Sequence, residues 1–282
     1  MTAILLESKP SKEEIKEKNI LVLSVSKAKT FLSCKAKYKK IYIEKMPKKE
    51  WDFLLVGKFL HRILELFHIY IENHNIPLNV AMGNSFKEAL KEYGSKIIKE
   101  KKQQAYDICL LYLRQVSQLQ QENKLPTVLG NEKEFNILID NKVLINGFID
   151  RVSRFGSEIE VCDYKTSNST QFLEKDLFQL LTYAFVMKLT FPDVKQVKGS
   201  YLMLFHDLKK IEKVFSEEEI FSVENKFLEY AAQINNEVVF APTTSILCGY
   251  CDYLKECPDG SKFLTSINRM PIDFTNIGKN SW

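Results

Sequence analysis

The chain has 282 residues, of which 45% are hydrophobic and 27% are charged, and its formal net charge is +4 at pH 7. No apolar run is long enough to cross a bilayer and no cleavable leader is recognisable, which excludes a membrane-spanning chain and predicts a cytoplasmic protein. The weak net charge does not exclude a local basic groove, because local charge distribution governs phosphate binding. The length allows one large hydrophobic core or two modest ones.

The first part of the chain carries two helix-capping signals. Residues 1–20 are highly charged, and the Ser11–Glu14 segment would cap a short helix unless this part is mobile. Ser24 or Ser26 predicts the cap of a second short helix, which ends near Cys34. A helix is then predicted from Phe53 to Tyr70, with Gly57, His61, Glu65 and His68 near one side at steps of three and four. A second helical stretch is predicted from Phe86 to Gln121, where it would form a packed cap, and Pro126 ends this helical region (53–126).

The remaining elements alternate in a way that predicts an α/β core at 132–235. Their order is strand, strand, strand, helix, strand, helix: Phe135–Ile139, Val143–Val152, Glu158–Tyr164, Asp176–Leu189, Val197–Phe205 and Ser216–Gln233. No repeat or low-complexity linker interrupts the chain. We therefore expect a single domain at 22–260, which follows a charged segment at 1–21. A flexible tail is predicted after Pro258, with 261–282 as the C-terminal tail.

Three charged residues interrupt two of the apolar strands. Asp163 and Lys165 project from one face of their strand because side chains alternate, and the hairpin partner can bring Asp150 beside them. Isolated charges at strand ends are usually just solvated, but that explanation fits three charges in register poorly. The two carboxylates would hold Mg²⁺ or Mn²⁺, which activates a water and stabilises the charge that develops when a phosphodiester is cleaved. The ammonium would orient that water or neutralise charge in the transition state.

The cysteines form a second pattern. Cys248, Cys251 and Cys257 lie within ten residues, a spacing suited to metal binding rather than to a disulfide framework, and Cys34 is the candidate fourth ligand. Four thiolates suit Zn²⁺ or an iron–sulfur cluster, and the spacing alone favours zinc. Cys109 and Cys162 stand in apolar contexts and are interpreted as buried small residues.

These motifs resemble the RecB and AddB branch of the PD-(D/E)xK nucleases, which also contains CRISPR-associated nucleases of spacer acquisition. The matching segments are Gly147–Arg151, Asp163–Thr166, Gln179–Tyr183, Gly57–Glu65 and Leu23–Cys34. The resemblance covers residues 22 to 260, with the motifs in the order of the family. One departure is Lys35, which replaces the proline that follows the early cysteine.

The resemblance implies a restriction-endonuclease-like core, with a mixed central sheet flanked by helices and a helical insertion that roofs the substrate groove. It implies that His61 is an additional metal ligand beside Asp150, Asp163 and a main-chain carbonyl of Cys162 or Tyr164. A histidine among the ligands makes Mn²⁺ at least as plausible as Mg²⁺. Gln179 and Tyr183 would lie beside the metal and contact the substrate phosphate. Glu65 and Glu134 are weaker candidates for supporting polar contacts, and Lys165 would position the attacking water.

For the cysteines, the resemblance implies a [4Fe–4S] cluster on Cys34, Cys248, Cys251 and Cys257, with zinc as the less favoured occupant. The cluster would join the N- and C-terminal parts and act structurally. The implied function is a metal-dependent DNA nuclease, with exonucleolytic processing of single strands or DNA ends as the usual activity of the family. Because the chain has no G-x-x-x-x-G-K-[ST] loop, unwinding would need a helicase partner. The alternatives are a CRISPR-associated end trimmer that works with an integrase, and a catalytically silent DNA-binding scaffold.

Overall fold

The computed structural model describes residues 3–48, 52–74, 76–167 and 170–269. The chain divides into two compact units, one formed by residues 1–22 and 52–226 and the other by residues 23–51 and 227–282. No helix among the described residues is long and apolar enough to cross a membrane.

The first unit is built on a seven-stranded mixed sheet. Its strands are β1 (Ala3–Leu5), β2 (Leu21–Leu23), β3 (Thr127–Ile139), β4 (Val143–Phe155), β5 (Glu158–Lys165), β6 (Gln196–Met203) and β7 (Lys209–Val214). The order across the sheet is β1-β3-β4-β5-β6-β7, and β2 pairs with β4. Only β5 and β6 run parallel along this order, and their connection contains a helix, as a parallel crossover requires. The predicted mixed α/β core is confirmed.

Helices accompany the sheet of this unit. They are α1 (Lys12–Glu17), α4 (Asp52–His74), α5 (Leu78–Tyr93), α6 (Lys99–Gln121), α7 (Gln171–Lys175), α8 (Phe178–Thr190) and the first half of α9 (Glu217–Asn236). The predicted capping box is present at α1, where Ser11 and Glu14 exchange hydrogen bonds. Helix α8 is buried along most of its length and packs on β5 and β6.

The prediction of one helical stretch from Phe86 to Gln121 is wrong. The chain leaves α5 at Gly94, makes a short 3₁₀ turn and enters α6 only after Ile98. Ile97 between the two helices is extended and only 6% exposed. A straight helix over the whole stretch would measure about 54 Å, whereas the break lets two shorter helices bury their apolar faces in one core with α4.

The second unit contains α2 (Val25–Ser33), α3 (Lys35–Tyr38), the end of α9 and α10 (Pro258–Ser266). Ser24 caps α2, as predicted, and Cys34 ends it. The interpretation of the chain after Pro258 as a flexible tail is wrong for 258–266, since Pro258 begins α10. Proline suits this first helical position because its missing N–H would have no partner there. The last part of the predicted tail, 270–282, lies outside the described residues.

Candidate active site

The three charges on β4 and β5 meet, because these strands pair antiparallel with Arg151 opposite Cys162. Lys165 Nζ lies 2.6 Å from Asp163 Oδ2, which confirms that the two side chains share a face. Asp150 is anchored to the neighbouring strand, where the Tyr164 N–H donates to Asp150 Oδ2 at 2.6 Å. Register and alternation therefore place two carboxylates and one ammonium at the end of β5.

Helix α4 contributes His61 to this group. Its Nε2 lies 2.9 Å from the Tyr164 carbonyl oxygen, and its Nδ1 lies 3.4 Å from Asp150 Oδ2. Burial lowers the pKa of His61, but its interactions with Asp150 and Glu132 outweigh burial and raise the pKa to about 10. The raised pKa reflects the negative charge of the surrounding carboxylates. Of the two main-chain carbonyls expected near the metal, that of Tyr164 faces His61.

Glu132 also belongs to this group, and the sequence analysis missed it. One ligand atom from each of Glu132, His61 and Asp150 lies within 4.8 Å of the others, a set that could hold a metal ion. Glu132 has a φ of 44°, a left-handed conformation that is uncommon for a residue with a side chain. Such strain is typical of functional sites, where surrounding contacts maintain it.

Glu134, the candidate named from the sequence, lies elsewhere in β3. It stands opposite Phe148 in the register, its side chain is exposed, and it accepts a weak hydrogen bond from Asn136 at 3.4 Å. The other supporting candidate, Glu65, binds Arg62 Nη1 at 2.9 Å. Neither Glu134 nor Glu65 is among the described partners of His61. Glu132 and Glu134 stand two positions apart in the sequence, and only the register of β3 distinguishes them.

Helix α8 brings Gln179 and Tyr183 to the carboxylates, as their i, i+4 spacing predicts. Gln179 Nε2 donates to Asp163 Oδ1 at 2.7 Å, and Gln179 Oε1 accepts from Lys165 Nζ at 3.0 Å. Gln179 Nε2 also lies 2.8 Å from the Tyr183 hydroxyl oxygen. One amide therefore fixes the positions of both the carboxylate and the ammonium.

Asp163 carries the electrostatic cost of this arrangement. It is 3% exposed, and burial raises its pKa to about 6, although Lys165 opposes the rise and Asp150 adds to it. A buried carboxylate with another carboxylate beside it is costly to ionise unless a cation is present. The donor set of carboxylates, one imidazole and one carbonyl oxygen fits a hard divalent ion such as Mg²⁺ or Mn²⁺.

In the second unit, Cys257 lies near Cys248, and Cys251 lies near Cys34. A Cβ atom built on Gly260 would lie 3.4 Å from Cys257 Sγ and 3.5 Å from Cys248 Sγ. Burial raises the pKa of the Cys251 thiol, and the proximity of Cys34 contributes to the rise. These cysteines are free thiols of intermediate exposure, whereas Cys109 and Cys162 are buried.

The sequence pattern of the PD-(D/E)XK nuclease superfamily matches residues 22–258. The chain belongs to this superfamily. Members of this superfamily are nucleases, which cleave phosphodiester bonds with divalent metals as cofactors. The predicted relation to the RecB and AddB branch is confirmed by the relatives described next.

The relatives are named as subunits of an ATP-dependent helicase/deoxyribonuclease. That of Streptococcus pyogenes serotype M18 is 26% identical over 226 residues, which cover 72% of this chain and 20% of the relative. That of Streptococcus agalactiae serotype Ia is 29% identical over 159 residues, 54% of this chain and 14% of the relative. The chain thus spans about a fifth or less of the length of these relatives.

Among solved structures, one described as a candidate exonuclease from Eubacterium rectale superimposes with a TM-score of 0.52. The match covers 97% of this chain and 100% of the other chain at 12% identity. At this identity the likeness supports the fold alone, and it confirms the predicted restriction-endonuclease-like class.

Proposed function

We propose that this chain is a divalent-metal-dependent deoxyribonuclease that shortens single-stranded DNA or DNA ends. The observation that carries the proposal is the convergence of His61, Glu132 and Asp150 on one point. Asp163 on β5 is outside this set of three, but its charge interacts with those of His61 and Asp150, and it pairs with Lys165 at 2.6 Å. The DNA substrate is supported by the relatives, which are named as deoxyribonuclease subunits.

Each residue has a role that follows from its chemistry. Asp150, Asp163, His61, Glu132 and the Tyr164 carbonyl would hold the ion, which when bound supplies an activated water and stabilises charge on the phosphate. His61 must give up its proton to bind, because a ligand imidazole is neutral.

Lys165 is 23% exposed and so is accessible to the substrate. It would orient the attacking water or neutralise charge on the phosphate in the transition state. Gln179 keeps both Lys165 and Asp163 in place through its amide. Tyr183 is positioned by the same amide and would contact the substrate phosphate.

The cleavage experiment uses DNA labelled at either end, as linear single strands, linear duplexes and covalently closed single-stranded circles. With Mn²⁺, we expect linear strands to be shortened from an end and circles to be spared. With EDTA, we expect no cleavage of any substrate. Asp150→Asn should abolish cleavage. If circles are nicked as fast as linear strands are shortened, the enzyme is an endonuclease. The alternative of a catalytically silent scaffold predicts no cleavage of any substrate.

We also propose that Cys34, Cys248, Cys251 and Cys257 hold a [4Fe–4S] cluster with a structural role. A single tetrahedral zinc ion needs sulfur atoms about 3.8 Å apart, given Zn–S bonds of about 2.3 Å. Among the described residues, no three of these thiols lie within 4.8 Å of one another. The wider spacing suits a cluster, in which each thiolate binds its own iron.

Anaerobic purification tests the cluster. The parent protein should be brown and contain iron with acid-labile sulfide, and Cys34→Ser should lose colour and thermal stability together. Cys109→Ala is the matched control, because this buried thiol lies outside the set and its removal should leave the iron content unchanged. Stoichiometric zinc without sulfide would refute the cluster and leave the nuclease proposal intact.

A partner in trans follows from the names of the relatives, which include a helicase function. Nothing in this sequence resembles an ATP-binding loop. We therefore propose that any unwinding of duplex DNA is supplied by another polypeptide or by further sequence of a longer protein. Addition of a helicase-generated single strand should raise the cleavage rate over that of the intact duplex.

A further inference from the structure

A cavity of about 390 Å³ lies away from the metal site, between the β4–β5 turn and the end of α8. Its lining includes Arg154, Ser157, Phe191, Asp193 and Lys195. Phe191, the residue directly after α8, follows Gln179 by twelve positions. At 1.5 Å per residue, the two residues are about 18 Å apart along the helix axis. The cavity is therefore separate from the carboxylates but lies in the same unit.

Two cations converge on the ring of Phe191. Arg154 Cζ lies 5.0 Å from the ring centroid and Lys133 Nζ lies 5.6 Å from it. Lys195 adds a third positive charge to the lining. Lys133 directly follows Glu132 in the sequence, and its side chain extends from there to the Phe191 ring.

Lys133, Arg154 and Lys195 form no ion pair with an acidic residue within the described ranges. By contrast, Lys198 on β6 and Lys210 on β7 both form ion pairs with Glu160. Asp193 is the single acid in the cavity lining, yet it forms no ion pair with Arg154, Lys133 or Lys195 in the part of the chain that the structure describes.

Like charges gathered at one ring repel one another, and the quadrupole of the ring offsets only part of this cost. An anion would remove the repulsion, and a guanidinium beside an ammonium suits the oxygen atoms of a phosphate. A nucleic-acid strand supplies phosphates at regular intervals. The rise of about 18 Å along α8, from Gln179 to Phe191, corresponds to about five nucleotides of a stacked strand at 3.4 Å per nucleotide.

We propose that Lys133, Arg154 and Lys195 form a second binding site for the phosphate backbone of a nucleic-acid strand, with Phe191 holding the first two side chains in place. A strand cut at the metal site would reach this site about five nucleotides away. The proposal rests on the proposed function, since it assigns a length requirement to the same substrate. It predicts that short strands are bound and cut without help from these cations.

The binding test uses the full chain with Asp163→Asn, so that the DNA stays intact, and fluorescein-labelled strands of four and fifteen nucleotides. Each phosphate contact on a single strand contributes about 0.7 to the slope of log affinity against log salt. Replacing the three cations by alanine should therefore lower the slope for the longer strand by about 2, which is on the order of a 100-fold weaker affinity at 0.1 M salt. Affinity for the four-nucleotide strand should stay within about twofold.

Lys142→Ala is the matched control, because Lys142 is a 74% exposed cation at the opposite end of the β3–β4 hairpin. It should change neither affinity. If the triple variant fails to fold, Arg154→Gln alone should lower the slope by about 0.7. The proposal would be overturned by an equal loss of affinity for both strand lengths or by an unchanged salt slope. It would also be overturned if millimolar inorganic phosphate competed as strongly as the longer strand does.

Cleavage separates this proposal from the proposed function. With Mn²⁺ and an intact metal site, the triple variant should cut the four-nucleotide strand at the parental kcat/KM. Its kcat/KM on the longer strand should fall in parallel with the affinity. If the parent itself cuts neither strand, the proposed function fails, while the length-dependent loss of binding still decides whether the second site exists.

Discussion

Without metal, Asp163 should reduce the stability of the folded protein, and Asp163→Asn tests this with almost no change in shape. Burial raises the pKa of Asp163 from 3.8 to about 6, against the opposing effect of Lys165. At about 1.4 kcal/mol per pKa unit, the cost of keeping this carboxylate ionised in the folded state is about 3 kcal/mol. The substitution should remove that cost.

The sign of the pH dependence follows from the linkage between proton binding and folding. Because the folded state holds the proton more tightly than the unfolded state, the cost is absent below pH 3.8, grows between pH 3.8 and 6, and is complete above pH 6. In EDTA at pH 8, Asp163→Asn should raise the free energy of unfolding by about 3 kcal/mol, which shifts Tm by roughly 5 °C for a chain of this size. At pH 4.5 the gain should fall to about 1 kcal/mol.

Thermal melts with and without Mn²⁺ make the measurement. The parent should gain stability from Mn²⁺, since an ion that binds only the folded state stabilises it, and Asp163→Asn should lose most of this gain. Asp107→Asn is the control, because Asp107 is exposed on α6 and accepts a hydrogen bond from Gln103. A Tm for Asp163→Asn in EDTA at pH 8 below that of the parent, or an equal gain at both pH values, would refute the reasoning.

Three further predictions concern packing and protonation. Gly199→Ala should lower the free energy of unfolding in urea by about 1–3 kcal/mol, because the new Cβ would lie 2.8 Å from Leu180 Cβ. Gly83→Ala, in α5, places its new Cβ with no atom within 4 Å, so it should raise the free energy of unfolding by up to about 1 kcal/mol. Burial holds the pKa of His68 well below 6.5. The free energy of unfolding should therefore fall as pH drops below 6.5, where the unfolded state takes up a proton that the folded state does not. His68→Gln should flatten this pH dependence between pH 7.5 and 5.5. Burial raises the pKa of the Cys109 thiol to about 12, so iodoacetamide should label Cys109 in urea but not in the native protein.

The convergence of Asp150, Asp163 and Lys165 could be predicted because it depends only on strand alternation and on a short connection between neighbouring strands. The i, i+4 spacing of Gln179 and Tyr183 depends only on helix geometry. Both rules are local, so a single sequence carries them. Their agreement with the structure is a consequence of geometry that no distant contact can easily change.

Glu132 could not be predicted, because its role depends on two properties that the sequence does not display. Its left-handed backbone is maintained by the surrounding structure, and its place between the pairs Asn131–Arg151 and Lys133–Ile149 depends on the register of β3 against β4. The adjacent Glu134 has the same residue type and the same kind of neighbours in the sequence. Only the three-dimensional register separates a ligand candidate from an exposed carboxylate.

The remaining errors have tertiary causes. Strand β7 alternates between exposed and half-buried residues and contains charged residues at most positions, so its sequence resembles a loop. The break between α5 and α6 is imposed by the burial of Ile97 in a shared core. Pro258 stops a helix in most contexts but begins one here, and only the position of the helix tells the two apart.

The central claim is that His61, Glu132, Asp150 and Asp163 hold the metal that cleaves DNA. The most direct measurement compares Glu132→Gln with Glu134→Gln in the rate of Mn²⁺-dependent shortening of an end-labelled single strand, and in Mn²⁺ affinity by calorimetry. We expect Glu134→Gln to match the parent and Glu132→Gln to lose on the order of 10- to 100-fold in both. Parental cleavage and parental Mn²⁺ affinity in Glu132→Gln would contradict the account of this site.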